Sequence, residues 1–476
     1  MTKCSFAVVS DPHYFSPTLT DGKRAYELRS GSDQKCILES SAIVKAAFKS
    51  LAEDDSIDAV LIPGDLTNDG EIASHEEFSS LLHELKKHKK VFVTTATHDF
   101  CCDNNANVYF SEEKAPLSET ADIPYLRKTY APFGPDEAIA VYENFNGLCS
   151  YVIKLSEGVR LFGLNDDQDG NGSSGYSDEH FSWILHQMEE AKKAGDRIIA
   201  MQHHVCVPHF TKLLTGGGIC CGNKEKVAEE FAKRGTDILF VGHSHWQNIT
   251  EYHAENGNMM TQVNVGSLSG HPSPIFKVDI SDVEIEMHTE YVTEFEFNGK
   301  KYTHDYIREH SKGLVRNVLK PASEGNLKEF TARLGALGVH SKAPEKLFFA
   351  IKRLCAYISK VNVGSLTKAV NRLTFGKGIR KACAEEISEM AVIELIYNIF
   401  LNLFDGGLNR YEKGSAVYNV VSDFVSIPSR LLSHFGFVPE NIKNITSEIH
   451  EIVCLLMDDG VNNNYKKITI KKEITV

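Results

Sequence analysis

The chain predicts an α/β fold that gathers a polar site on one sheet rim, followed by a mainly helical C-terminal part. Three observations predict it. Short apolar runs of strand type alternate with stretches of helical period through the first part. Four of those runs end directly at motifs rich in Asp and His: FAVVS before Asp11, AVLIP before Gly64, VFVTT before Ala96 and ILFV before Gly242. Charge is also split along the chain. From Asp305 onward there are 24 Lys and Arg against 18 Asp and Glu, a surplus of six, whereas the preceding residues carry a net −19. An acidic first part and a basic second part point to two units with different jobs.

Amphipathic stretches at Cys36–Leu51, His75–Lys87, Asp178–Ala194 and Lys224–Arg234 predict the helices between the strands. Beyond Trp246 the texture changes to short alternating segments, Met259–Val265, Ile275–Ile280 and Val283–Tyr291, which read as antiparallel strands completing a second sheet. After about His304 the period turns helical as far as Met457, with breaks expected at Pro321, Gly335, Gly364, Gly376, Gly406 and Pro439. A last alternating stretch, Lys466–Val476, reads as an edge strand guarded by Lys. These changes divide the chain into residues 1–302 and a helical accessory or cap part, 303–476. Two long segments leave the rim, Phe100–Ile123 after ATHD and Cys206–Asn223 after QHH, and both are candidates to shape a pocket.

With 42% hydrophobic and 24% charged residues, the composition is that of an ordinary globular protein, which excludes disordered and fibrous classes. The eleven Cys lie at irregular spacings, including the vicinal pairs Cys101/Cys102 and Cys220/Cys221, and no CxxC pair offers a zinc ribbon. That pattern fits free thiols in a reducing cytoplasm. The first strand begins at the N-terminus and leaves no room for a signal peptide. The most apolar helical stretch, Met390 to Phe404, is interrupted by Glu394, Asn398 and Asn402 and reads as a buried helix rather than a membrane span. A cytoplasmic protein without a membrane partner is expected.

The five motifs are SDPHY (Asp11, His13), GDLTND (Asp65), ATHD (Thr97, His98, Asp99), QHH (His203) and GHSH (His243, His245). Two divalent cations about 3.5–4 Å apart need a bridging carboxylate with nitrogen and oxygen ligands from separate loops. Asp65 suits the bridge, with Gly64 beside it relieving crowding. Asp11 and His13 alternate at a strand end and would flank one cation. His243 and His245 share that spacing and can reach different cations, and His203 adds a further imidazole. Carboxylate with imidazole suits Mn, Fe or Zn better than Ca or Mg. Any one of these motifs alone reads as a turn or a cap; five in this order do not.

In these motifs the chain resembles the calcineurin-like metallophosphoesterases, whose pattern is D-x-H, GD, GNH(D/E), H and GHxH. The resemblance covers roughly Met1 to Tyr291. It implies a four-layer αββα sandwich of two mixed sheets with a dinuclear metal site on the rim. It further implies that Asp11, His13, Asp65 and His245 hold one metal, and that Asp65, residue 97, His203 and His243 hold the other. His98, hydrogen-bonded to Asp99, would contact the phosphate and help protonate the leaving oxygen, while hydroxide from water bridging the metals attacks phosphorus. The third motif departs from the pattern: Thr97 stands where the family has a ligating Asn, which puts tight binding of the second metal in doubt, and Ala96 stands for Gly.

Other features carry weaker readings. Asn165 and Asp166 close a strand near the rim and are substrate-binding candidates, as is His209. Asp167, Asp169, Asn171, Gly172 and Asp178 match the calcium-loop spacing, but a strand precedes them and the segment reads as a Gly/Asn-rich turn before a helix capped by Asp178. TGGG (Thr215–Gly218) lacks a following GK[ST] and reads as a lid rather than a phosphate loop. Between Lys346 and Lys381 nine Lys and Arg occur with no Asp or Glu; this is a solvated helical face or, functionally, a surface steering a polyanion. The expected function is hydrolysis of a small, nucleotide-like phosphoester, as a phosphodiesterase or phosphatase, without a nucleic-acid partner. The rival expectation is a weakly metal-binding scaffold whose helical part recruits a partner.

Overall fold

The computed structural model describes residues 3–101, 106–110, 117–167, 173–209, 220–336, 348–376, 378–433 and 440–470. Two mixed sheets lie face to face. The first has six strands: β1 (Cys4–Val8), β2 (Ala59–Pro63), β3 (Lys90–Thr94), β11 (Pro274–Ile280), β12 (Glu284–Tyr291) and β15 (Tyr465–Thr469), in the order β15-β12-β11-β1-β2-β3. The second has seven: β4 (Ala140–Glu143), β5 (Cys149–Ser156), β6 (Val159–Gly163), β7 (Arg197–Met201), β8 (Thr236–Val241), β9 (Asn248–His253) and β10 (Met259–Asn264), in the order β4-β5-β6-β7-β8-β10-β9. A small hairpin, β13 (Glu294–Phe297) with β14 (Lys300–Thr303), stands apart. The parallel pairs β1-β2-β3 and β6-β7-β8 point their carboxyl ends at one rim.

The period-2 alternation of the strands builds the layers. Phe6, Val8, Leu61 and Phe92 of the first sheet meet Tyr151, Leu161, Met201 and Phe240 of the second in the inner core. The intervening Ala7, Val9, Val60, Ile62 and Val91 face outward against α2 (Ser40–Glu53) and α3 (Ile72–Lys86), through Ile43, Ala47, Phe78 and Leu82. On the far side Phe162, Ala200 and Leu239 pack on α5 (Asp178–Ala194) and α6 (Lys224–Lys233), through Phe181, Met188 and Phe231. The result is a four-layer αββα sandwich. Two shorter helices, α1 (Arg24–Ser30) and α4 (Ile123–Tyr130), lie in the connections.

One expectation needs correction. Of the alternating segments past Trp246, only Met259–Asn264 joins the second sheet; Pro274–Ile280 and Glu284–Tyr291 pair into the first, with β11 antiparallel to β1. Alternation says which residues face a core but not which sheet supplies the neighbour. The edge strand expected at Lys466 is present as Tyr465–Thr469, paired with β12; residues 471–476 lie outside those described.

The helical part comprises α7 (His304–Glu324), α8 (Leu327–Ala336), α9 (Phe348–Ile358), α10 (Val363–Leu373), α11 (Lys381–Glu386), α12 (Val392–Asp405), α13 (Ala416–Ser433) and α14 (Glu440–Met457). It has its own core, including Val363, Ile379, Leu395, Val420 and Met457. Pro321 does not break α7, which continues to Glu324 and ends at Gly325 with φ 81°. So near the helix end the missing N–H removes only one late rung. Gly364 likewise sits inside the first turn of α10. Gly406 (φ 63°) does end α12, as expected. Among the described residues no helix is long and apolar enough to cross a membrane.

The end of the chain returns to the sandwich beside the GHSH motif. Buried Asn463 accepts Ile249 N–H (2.9 Å) and the Asn248 amide (3.1 Å), and its carbonyl accepts from Gln247 (3.2 Å). Gln247 N–H in turn donates to Phe404 O at 3.1 Å. The strand that follows His245 is therefore braced by residues more than 150 positions away in sequence.

Candidate metal centre

The site sits on the seam between the two sheets, where strands β1, β2, β3, β7 and β8 end. Each strand delivers its residue within five positions of its last: Asp11 and His13 follow β1, Asp65 follows β2, Thr97 and His98 follow β3, His203 follows β7, and His243 and His245 follow β8. QHH thus also closes a strand. Five of these side chains hang from backbone in the left-handed region: Asp11 (φ 47°), His13 (φ 40°), Asp65 (φ 50°), His243 (φ 66°) and His245 (φ 59°). For residues other than Gly this conformation costs on the order of 1–3 kcal/mol each, and such strain gathers where function needs a fixed geometry. It turns each chain sharply at the strand end, so the side chains converge instead of continuing outward. Two glycines make room. A Cβ at Gly64 would stand 2.6 Å from His203 Nδ1, and one at Gly242 would run into the Asp11 carboxylate.

The donor atoms fall into two groups that share Asp65. Asp11, His13, Asp65 and His245 each offer an atom within 4.8 Å of the others, and so do Asp65, His203 and His243. In the first group His13 Nε2 lies 2.9 Å from His245 Nε2, 3.8 Å from Asp11 Oδ1 and 3.7 Å from Asp65 Oδ2. In the second, His203 Nε2 lies 3.0 Å from Asp65 Oδ2 and 3.2 Å from His243 Nδ1. Ligands about 2.1 Å from one ion stand about 3–4 Å apart, so both groups have the dimensions of a coordination shell.

Protonation states strengthen the fit. The Pro63 carbonyl, 2.9 Å from His203 Nδ1, can only accept, so Nδ1 carries a ring proton. Burial works against charge on this ring, but the Asp65 carboxylate holds it well above the usual imidazole range, so Nε2 also donates to Asp65 Oδ2 at 3.0 Å. A divalent cation would take the place of that proton between Nε2 and the carboxylate. His245 Nδ1 lies 2.7 Å from the Gln34 amide nitrogen, while Gln34 Oε1 is buried without a partner; turning the amide lets Oε1 accept the Nδ1 proton and frees Nε2 for a cation. Burial above all holds His13 and His243 well below the usual imidazole range; the neighbouring charge of Lys35 adds to this at His13, and those of His204 and His203 at His243. Both are therefore neutral, the form that ligates metals. Burial works against charge on Asp65, yet the histidines around it, His203 first, hold its carboxyl well below the ordinary range.

Asp99 does not meet His98, contrary to expectation. Residues Thr97–Phe100 form a 3-10 turn that swings the Asp99 carboxylate back under the loop, where it accepts from Ala96 N–H (2.8 Å), Thr67 N–H (3.0 Å) and Thr67 Oγ1 (3.3 Å). His98 Nδ1 instead lies 2.5 Å from Asn68 O and 3.3 Å from Asp69 Oδ1. Burial disfavours charge on His98, but the Asp65 carboxylate and the Asp69 partner outweigh it and lift the group to about 9. Asp69 is the residue the sequence reading missed, though it stands inside GDLTND, four positions past Asp65. His98 N–H also donates to Asp65 Oδ1 (3.2 Å), which brings the Thr97–His98 peptide beside the shared carboxylate. Ala96 is extended (φ −143°) and needs no glycine.

The remaining candidates lie in or under the rim. Asp166 is buried and accepts His203 N–H (3.2 Å) and His204 N–H (2.9 Å), with His204 Nδ1 at 3.1 Å. Asn165 ties Thr95 O (3.0 Å) to Asp167 N–H (3.1 Å). His209 packs edge-on against Trp246 at 5.6 Å. The helix expected to be capped by Asp178 has Ser177 as its cap, and Asp169, Asn171, Gly172 and the TGGG lid lie outside the described residues. The described members of the basic run, such as Arg353, Lys368 and Arg372, are exposed, and Arg353 lies over Phe349 at 4.3 Å. The cysteines described are free thiols.

The sandwich and its rim of Asp and His define a metallophosphoesterase. Residues 4–247 match the calcineurin-like phosphoesterase family model, and the chain belongs to that family. Similar solved structures include a dimetal phosphatase from Danio rerio (12% identity over 63% of this chain and 99% of that one, TM-score 0.42). A purple acid phosphatase from yellow lupin also matches (12% identity, 63% and 53%, TM-score 0.41), as does an NAD nucleotidase from Haemophilus influenzae (12% identity, 76% and 62%, TM-score 0.36). No curated protein matches the chain by sequence.

The loop bearing His98 is held from behind by His75, which is fully buried. Its Nε2 lies 2.7 Å from Asp99 O and its Nδ1 2.7 Å from the Tyr130 hydroxyl, so both nitrogens are satisfied in the neutral ring. Burial pushes His75 down to about 4. The unfolded chain therefore takes up this proton first, and a contribution fully present above pH 6.5 is lost as pH falls toward 4. It amounts to about 3 kcal/mol. Denaturant titrations between pH 4 and 7 are expected to show this slope in the wild type and its absence in His75→Gln; equal slopes would refute the assignment.

Proposed function

We propose that the protein is a dinuclear metal-dependent hydrolase that cleaves a small, nucleotide-like phosphoester. The observation that carries this reading is the pair of donor groups sharing Asp65, with the His98 imidazole held beside them by Asn68 O and Asp69. In this reading Asp11, His13, Asp65 and His245 hold one cation and Asp65, Thr97, His203 and His243 the other, with Mn, Fe or Zn as the occupants. Such a pair, when bound, ionises a water near neutral pH and offsets charge on the phosphoryl oxygens.

The chain's own residues do the rest. Asp65 fixes the spacing of the two groups. His98 is oriented through Nδ1 by Asn68 O and Asp69, which leaves Nε2 to donate a proton to the departing oxygen. Once cations occupy Asp65, its pull on His98 is offset, and Asp69 is the carboxylate that keeps the ring protonated. Asp99, His75, Asn165 and Asp166 are positioning residues that hold the rim loops. We assign residues 1–302 to the catalytic unit and 303–476 to the helical accessory unit, whose last strand is stitched into the catalytic sheet. The basic run is a solvated face in this reading.

Hydrolysis of p-nitrophenyl phosphate or its bis ester with added Mn²⁺ is expected in the wild type, with a loss of at least about 10³-fold in Asp65→Asn. Well-folded protein inactive with Mn, Fe, Zn and Mg alike would favour the scaffold alternative that Thr97 raises. Asp69→Asn is expected to lower kcat about 10–100-fold and to move the alkaline limb of the pH–rate profile toward lower pH, because His98 loses the charge that keeps it protonated. A profile displaced the other way, or not at all, would remove Asp69 from this role.

A further inference from the structure

We propose that Lys35 is a substrate-binding group whose ammonium takes phosphoryl oxygens beside the two cation positions, favouring a phosphomonoester over a diester. The proposal rests on the reading of the site as a metallophosphoesterase and names its substrate class.

Lys35 is 4% exposed, in the connection between α1 and α2. Its backbone is pinned on the rim: it bridges Gly270, the preceding Gln34 reaches the His245 ring at 2.7 Å, and the following Cys36 N–H donates to Ser269 O at 2.8 Å. The ammonium, by contrast, is underused. Among the described residues it makes no hydrogen bond, and its one ion-pair partner, Asp33 Oδ2, is 3.6 Å away. That carboxylate is already committed elsewhere, to Arg29 Nη1 at 2.6 Å and to Lys35 N–H at 3.0 Å. The residue is buried but its Nζ is not among the sealed, unpaired polar atoms, so solvent reaches the unspent donors and an acceptor can arrive from outside.

The position says which acceptor. Arg29 lies 3.7 Å from Asp69 Oδ2, so Lys35 belongs to the charge network that ends at His98. The charge of Lys35 also acts on His13, His98 and Asp69. Arg29 and Lys35 are balanced by Asp33 and Asp69, so the empty donors attract an anion without leaving a large net charge behind. A monoester carries up to two negative charges over three non-bridging oxygens, a diester one over two. A compact ammonium on the rim adds most to binding of the former.

The helical part explains how Lys35 is kept there. From α7, Ser311 Oγ donates to Gln34 O (3.0 Å) and Asn317 Nδ2 to Gly31 O (2.8 Å). From α8, Arg333 pairs with Glu27 (2.8 Å) and Glu329 with Arg24 (2.5 Å). A Cβ at Gly31 would come within 3.0 Å of the Asn317 amide, so helix and loop are in direct contact. Ser311 and Asn317 are positioning residues for the lysine-bearing loop.

The test uses the full chain loaded with Mn²⁺, with metal content checked. Orthophosphate binding is measured by calorimetry, and kcat and KM for p-nitrophenyl phosphate and bis(p-nitrophenyl) phosphate are measured alongside. Lys35→Met is expected to weaken orthophosphate at least 10-fold at unchanged metal content. Its loss of kcat/KM on the monoester is expected to exceed the loss on the diester at least 10-fold, with partial rescue in Lys35→Arg. Unchanged orthophosphate affinity, or equal losses on both esters, would overturn the proposal. Should Lys35→Met fail to fold, Ser311→Ala/Asn317→Ala keeps the lysine and frees its loop. A raised monoester KM is then expected, and an unaltered one counts against the idea. A wild type that turns over neither ester, yet binds orthophosphate through Lys35, would refute the catalytic reading and with it the substrate assignment, leaving the lysine an anion-binding group only.

Discussion

The Asp65 carboxylate is the point on which the arrangement turns. It is buried, held ionised by histidines on either side, and faced by His203 Nε2 at 3.0 Å and His13 Nε2 at 3.7 Å. Several lone pairs crowded into a low-dielectric seam repel unless positive charge lies among them. Left-handed backbone at five donors, bare glycines at 64 and 242, and strands from two different sheets all serve to bring those lone pairs together. They are intelligible as the structural cost of a charged centre.

Around that centre the fold supplies successive layers of support. Asp166 gathers the His203–His204 backbone, Asp99 locks the turn that presents His98, and His75 closes that turn from below. The helical region reaches the same rim from two directions. Through Ser311 and Asn317 it holds the segment of Gln34 and Lys35, and through Phe404 and Asn463 it braces the chain just past GHSH. Its place is therefore structural to the site, and the opposite charges of the two parts meet in named pairs such as Arg333 with Glu27.

Much of this was legible in the sequence, for a physical reason. A motif directly past a strand is local information: the run AVLIP announces both the strand and the place where Asp65 leaves it. Helices α5 and α6 were equally readable, since amphipathic period is local too. What escaped depends on pairing over distance. Strands β11 and β12 alternate in a way that fits either sheet, and β1 is a partner more than 260 residues away. Asp99 was expected as the partner of His98, but a short 3-10 turn swings that carboxylate away and leaves Asp69 beside the ring. Lys35 gave no signal at all: a lysine in a loop reads as solvent-exposed, whereas here it is buried in a segment that the helical part holds through Gln34 and Gly31.

The central claim is that two cations sit astride Asp65. Crystals grown with Mn²⁺, with anomalous differences collected at the manganese edge, examine it most directly. Two peaks about 3.5–4 Å apart are expected, one among Asp11, His13 and His245 and one among His203 and His243, each touching Asp65. A single peak, or none, in protein that binds the metal stoichiometrically elsewhere would contradict it.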